Sequence, residues 1–223
     1  RDFANLTAYF NLESADSKAM LQKQRRGVLF VKVQRKLNFY LRALWGRDFF
    51  LRPTGADYTD FRPYIEHRIF HMPDAVDDYG TDELKVAGLE LYRATAAHMA
   101  AHMCYSDSPI SAEQLSPAQM WFVAFMEDAR VEYKAVKEFP GLKKLWGQIL
   151  RLTDEDDHPE HPAMLEFEHI ARMLLDETVT TDDEQVAEFV QRFHKEIPEK
   201  QDDNNYSWHM GMELFTLYST RRH

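Results

Sequence analysis

The stretch Ser116-Pro117-Ala118-Gln119-Met120-Trp121-Phe122-Val123-Ala124-Phe125-Met126, running on to Phe139-Pro140-Gly141, decides the fold class. Ser116 and Gln119 form a capping box with proline at the first helical position, so the hydroxyl and the amide can satisfy orphan backbone groups reciprocally. The spacing of Trp121, Phe125 and Val131 predicts a helix from there to about Phe139, where Pro140-Gly141 stops it and Leu142 returns the chain to the core.

Downstream, the pattern predicts a shorter helix over 142–152, an exposed acidic loop over 154–161, and helices over 162–176 and 182–196. The second of these is expected to open on Thr181-Asp182-Asp183-Glu184 as another capping box. Gln201-Asp202-Asp203-Asn204-Asn205 reads as a polar linker before a last helix from Trp208 to about Arg221. Upstream, 81–105 reads as a helix with Thr81 at the N-cap and Asp82 and Glu83 at the positive end of the dipole. Leu21, Val28, Val31, Leu37, Leu41 and Leu44 recur at helical spacing across 17–45, with Gly27 the weak link.

Between these helices, 46–80 has a different character. Pro53, Pro63 and Pro73 break helices, and Phe49-Phe50-Leu51 and Arg68-Ile69-Phe70-His71-Met72 are β-prone. The expected fold is mainly α: a multi-helix bundle forming a single helical domain over 1–223, with a small β hairpin or ribbon insertion near 48–73. No fixed-period repeat interrupts it.

Aromatic residues make up 13% of the 223, enough to furnish a sizeable core. A net charge of −10, from 37 acidic and 27 basic side chains, argues against a nucleic-acid ligand, which requires clustered cations. The charge is uneven. Arg25, Arg26, Lys32, Arg35, Lys36, Arg42 and Arg47 crowd the first third, and Asp154 to Glu160 and Asp182 to Glu184 lie in the last. The basic N-terminal helix and the cluster Tyr206, Trp208, Phe215 and Tyr218 are the candidate partner contacts, although aromatics at helical spacing usually face a core.

Cys104 is the sole cysteine, so there is no disulfide framework, and a reducing, cytoplasmic location is expected. Near the end of an apolar helix, it reads as a small buried hydrophobe. No apolar run approaches the length of a membrane span. The opening Arg1-Asp2-Phe3 resembles neither a signal peptide nor a natural start, and a piece of a longer protein is expected.

The densest chemical feature is His98-Met99-Ala100-Ala101-His102. Histidines at i and i+4 share one helix face and can share a metal. If this helix and the next form an antiparallel hairpin, Glu127, Asp128 or Glu132 faces the pair, giving a two-histidine, one-carboxylate site for zinc or iron. The candidate metal ligands are therefore His98, His102, Glu127 and Glu132. Hydrolysis by the usual two-histidine zinc motif needs a glutamate directly after the first histidine, and this chain has Met99 there. The alternative is a hydrogen-bonded network in which imidazoles and carboxylates fix the hairpin, with Asp128 and Arg130 as structural members and Arg130 gripping carboxylates bidentately. Glycine-rich phosphate loops, dinucleotide fingerprints and nucleophile elbows are absent from the sequence.

Leu91-Tyr92-Arg93-Ala94, Ala97-His98-Met99-Ala100-Ala101-His102, Glu127-Asp128-Ala129-Arg130-Val131-Glu132 and Phe139-Pro140-Gly141-Leu142 together resemble the N-terminal helical region of large von Willebrand factor A proteins that partner MoxR-class AAA+ ATPases. Examples are the CbbO component of a Rubisco activase and the NorD proteins associated with nitric oxide reductase. The resemblance is clearest over about 40–145 and continues weakly around Ile170 to Asp176. It implies a non-catalytic adaptor or scaffold that links an ATPase hexamer to a client enzyme, Rubisco first and nitric oxide reductase next. The Asp-x-Ser-x-Ser loop by which a von Willebrand domain holds its metal does not occur in these residues, so that domain and its client contact are expected outside them. A metal-dependent enzyme or metal-binding helical domain using His98 and His102 is the alternative.

Overall fold

A computed structural model describes residues 27–54, 63–80, 84–106, 114–154 and 162–221. Among them the chain forms seven α-helices: α1 (Phe30–Trp45), α2 (Gly88–Tyr105), α3 (Pro117–Glu138), α4 (Gly141–Asp154), α5 (Pro162–Leu175), α6 (Glu184–Lys200) and α7 (Asn204–Thr220). Seven short strands lie before α2: β1 (Val28–Leu29), β2 (Phe50–Pro53), β3 (Tyr64–Glu66), β4 (Ile69–Met72), β5 (Ala75–Val76), β6 (Tyr79–Gly80) and β7 (Lys85–Val86). The protein is mainly α with a small β insertion, as the sequence predicts.

The insertion is a three-stranded sheet in the order β2-β4-β3, flanked by the pairs β1-β5 and β6-β7. The two stretches read as β-prone pair in parallel, as β2 and β4, and the hairpin is instead β3-β4, turned at His67 and Arg68, whose φ values of 49° and 63° match the left-handed two-residue turn that suits twisted strands. β2 joins it in parallel, with Leu51 opposite Phe70. Alternation along β4 sends Phe70 and Met72 inward, while Tyr64 stacks on His71 across the hairpin at 4.4 Å.

Four helix starts differ from expectation. α1 begins at Phe30: Gly27, at φ +91°, turns the chain, and Val28 and Leu29 pair antiparallel with Val76 and Ala75. Residues 17–26 lie outside the described residues. Val31, counted in the helical stripe, is 54% exposed, and the buried face is Phe30, Val33, Leu37 and Leu41. α2 begins at Gly88, not at 81, because Lys85 and Val86 are spent on β7. Its first turn is fixed by Asp78, whose carboxylate accepts from the Gly88 N–H at 2.9 Å; Thr81 to Glu83 fall outside the described residues. α6 is capped by Asp183, which accepts from the N–H groups of Gln185 and Val186, while the Thr181 hydroxyl accepts from the Asp183 N–H. α6 also runs through Pro198 to Lys200, and α7 opens at Asn204 with Asp203 as its cap. The Ser116 box forms as expected, and α3 ends at Glu138. The acidic stretch 155–161 lies outside the described residues.

Three apolar clusters hold these elements together. One joins α1, the sheet and α2 through Phe30, Leu37, Leu41, Phe70, Tyr92 and Met99. A second joins α3, α5, α6 and α7 through Met126, Ile170, Phe193, Met210 and Leu214. A third, smaller cluster of Ala97, Ala101, Val131, Ala135 and Trp146 lies between α2, α3 and α4. Alanine on both facing helices lets α2 and α3 approach closely, and that seam positions the polar residues described next. No helix among the described residues is long and apolar enough to cross a membrane.

Candidate metal centre

α2 and α3 run antiparallel, so that position 98 meets 132, 102 meets 128 and 106 meets 127. His98 and His102, one helical turn apart, project their Nε2 atoms toward each other at 3.2 Å. Oδ1 of Asp128 completes the triangle, 2.9 Å from Nε2 of His102 and 3.6 Å from Nε2 of His98. Among the described residues, these three donors are the ones the fold brings together as a group able to hold a metal ion.

Glu132 and Glu127 occupy a surrounding layer. Nδ1 of His98 donates to Oε1 of Glu132 at 2.9 Å. Nδ1 of His102 faces the Ser106 hydroxyl at 3.3 Å, and Ser106 donates to Oε1 of Glu127 at 2.6 Å. Glu127 in turn is gripped by Arg130, through Nε at 2.8 Å and Nη2 at 2.6 Å, and accepts from the Ser207 hydroxyl at 2.6 Å. Arg130 makes two further bonds to backbone carbonyls, from Nη1 to Gln201 and from Nη2 to Tyr105. The guanidinium is fully buried, and its bonds tie α2, α3 and the α6–α7 turn at one point.

The electrostatics follow from this layout. Burial pushes the His98 imidazole down, but hydrogen bonds to Asp128 and Glu132 and their charges outweigh it and hold the group up at about 10. Burial would raise Asp128, but hydrogen bonds from His102 and His98, with their charges, bring it down to about 2. For Glu127 burial again opposes ionisation, and Arg130, Ser106 and Ser207 keep the carboxyl below the ordinary glutamate value. Asp128 therefore carries its charge at neutral pH beside a His98 imidazole held in its protonated form.

One side of the cluster is open: the side chains of His98, His102 and Asp128 are 30%, 23% and 45% exposed. The edge of Trp146, 6.3 Å from the His98 ring, forms a wall, and its Nε1 donates to the Ala94 carbonyl. Met99 points the other way, buried in the cluster of α1 and the sheet. Cys104 is half-buried, and its thiol is pushed up by burial, with Arg47 opposing and Glu138 adding to the shift. Among the expected aromatic contacts, Tyr206 is buried, and Phe215 and Tyr218 pack against the same core.

Sequence reasoning named every acidic and basic member of this cluster but neither serine. Ser106 has a legible signal, because it stands four residues after His102 at helical spacing. Ser207 has none, as it comes from another helix 80 residues from Glu127. Compared with family profiles, curated proteins and solved structures, the chain matches none.

Proposed function

We propose that this chain is a non-catalytic adaptor or scaffold module of a MoxR-class AAA+ ATPase system, linking the ATPase hexamer to a client enzyme whose activity the system restores. A CbbO-like role with Rubisco as client is favoured, and a NorD-like role with nitric oxide reductase is next. The reading rests on the resemblance of the Leu91–His102, Glu127–Glu132 and Phe139–Leu142 motifs to the helical region of those proteins. The observation that carries it is that these motifs meet in a single seam, where Arg130 and Glu127 bind structure to structure. A non-catalytic role is supported by Met99: the side chain after His98 is apolar and buried away from the histidines, so it supplies no base to a bound water.

The docking face is the exposed side of α1, where Lys32, Arg35 and Lys36 stand beside Phe39, 54% exposed, with Arg35 over the Phe39 ring at 5.5 Å. A cationic face with an aromatic centre on a chain of net charge −10 suits a partner surface that is acidic. The test is the ATPase rate of a purified MoxR-class hexamer with and without the chain, together with co-elution. Binding and a changed rate are expected, both weakened by Lys32→Glu/Arg35→Glu/Lys36→Glu and by raised salt. A hexamer that neither binds nor responds overturns the adaptor reading.

A further inference from the structure

We propose that Nε2 of His98, Nε2 of His102 and Oδ1 of Asp128 bind one divalent first-row transition metal, zinc or iron(II), leaving a coordination position open to solvent. This proposal stands on the donor geometry and is independent of the adaptor reading.

Three observations carry it. The first is spacing. Ligand bonds of roughly 2.0–2.1 Å at tetrahedral angles put neighbouring donors about 3.3 Å apart. The three separations are 2.9, 3.2 and 3.6 Å, on both sides of that value. The two imidazole nitrogens and the carboxylate oxygen form a triangle, so that one cation can lie within bonding distance of all three. Without a metal these nitrogens direct protons at the single oxygen Oδ1 of Asp128, and a cation would replace those protons and be shared by all three donors.

The second observation is the surrounding layer. A metal-bound histidine characteristically donates its other ring N–H to a carboxylate, a carbonyl or a hydroxyl, which fixes its tautomer and rotation. Both histidines do so here. Nδ1 of His98 is committed to Glu132, and Nδ1 of His102 to Ser106, behind which stand Glu127 and the buried Arg130. Each ring therefore presents Nε2 to the cation site. A simple helix-to-helix network requires no such division, in which one carboxylate takes the Nε2 face and two others stand behind the Nδ1 atoms.

The third is access. The ligands are partly exposed, while Ala97 and Ala101 on the same helix are fully buried, so a metal can enter from solvent and keep a water on that side. Two histidines and one carboxylate with an open position suit zinc and iron(II), and the donor set is too nitrogen-rich for calcium or magnesium. Glu127 and Glu132 are positioning residues here, and Asp128 supplies the third ligand.

The chain would be stripped with chelator and titrated with zinc chloride by calorimetry, and separately with iron(II) under nitrogen; cobalt(II) would report geometry through its visible ligand-field bands. One equivalent of metal, a raised melting temperature and strong cobalt bands are expected for the unaltered chain. His102→Ala and Asp128→Ala should abolish all three. Glu132→Gln, which leaves the ligands in place and guards against a ligand variant that does not fold, should weaken binding about 10–100-fold. Zinc is expected to bind more tightly than iron(II), in the general order of divalent-metal affinities. The proposal is overturned if the folded, unaltered chain takes up neither metal, or if the folded ligand variants bind it as tightly as the unaltered chain.

Discussion

Arg130 holds Glu127, three residues earlier on the same helix, through two parallel hydrogen bonds of 2.8 and 2.6 Å, with the guanidinium fully buried and the carboxylate side chain 13% exposed. The pair also anchors what lies around it. Arg130 reaches the carbonyls of Tyr105 and Gln201, and Glu127 accepts from Ser106 and Ser207, so the end of α2 and the α6–α7 turn meet at one ion pair.

Replacing Arg130 with methionine leaves the buried Glu127 charge unpaired, together with two backbone carbonyls. A loss of about 3 to 5 kcal/mol is expected in a urea melt, as for other broken buried pairs. Arg130→Lys should recover only part of it, because a point charge cannot make the fork to Glu127 and reach both carbonyls. A loss below about 1 kcal/mol for the methionine variant would contradict the anchoring role.

Gly211 marks a close approach of α7 to α3. A Cβ there would lie 2.6 Å from Val123 Cα and 2.8 Å from both the Phe122 carbonyl oxygen and the Val123 nitrogen, all backbone atoms that cannot swing aside. Gly211→Ala should therefore destabilise the protein by about 1–3 kcal/mol despite the better helix propensity of alanine. An unchanged melting temperature would show that the two helices separate without cost.

Asp183 joins the start of α6 to the end of α7. Its carboxylate receives Arg221 Nη1 at 2.7 Å and Nη2 at 2.8 Å, as well as the N–H groups of Gln185 and Val186. Arg221 is the main cause of its lowered pKa, and partial burial opposes the shift. Because the folded value lies below the unfolded one, the stabilisation is present above the unfolded pKa, about 3.8, and is lost as pH falls through the folded value. Asp183→Asn keeps a good cap but loses the charge. It should cost about 0.2–1 kcal/mol at pH 7 and converge with the unaltered chain in strong acid, as followed by urea melts across pH. A cost that persists undiminished in acid would assign the effect to the cap alone.

Cys104 is shielded by burial and its thiol is held above the ordinary value. Ellman's reagent should label it more slowly in the folded chain at pH 8 than in urea, in one phase and to one equivalent. Equal rates in the two states would place the thiol at the surface.

Much of the helical framework is legible in the residues because helix starts and stops are local chemistry. Ser116 and Gln119 lie within one turn of each other, and Pro140-Gly141 acts on its immediate neighbours, so α3 is read correctly from end to end. His98 and His102 are likewise a local fact, set by the 3.6-residue period. The starts of α1 and α2 are different. A helical stripe through Gly27 and Val28 looks continuous until Ala75 and Val76 arrive to pair with the same segment, and Lys85 and Val86 are taken by β7 in the same way. The helix expected to end at 196 runs on to Lys200, because Ile197, fully buried in the core of α3, α5, α6 and α7, holds the last turn in place. In each case a contact from elsewhere in the chain outweighs a preference of a few residues.

The sequence by itself determined the class of the fold, the β character of the 46–80 insertion, the histidine pair and the carboxylates available to it, because each depends on spacing within a few turns of chain. Only the tertiary structure decided how those carboxylates divide. From the residues, Glu127 and Glu132 are the expected ligands and Asp128 a structural member; the antiparallel packing of α2 on α3 instead puts Asp128 with the two Nε2 atoms and the two glutamates behind them. A rotation of α3 by one residue, about 100°, would exchange their roles, and that rotation is set by Ala97, Ala101, Val131 and Ala135 in the seam and by Arg130 and Ser207 beyond it.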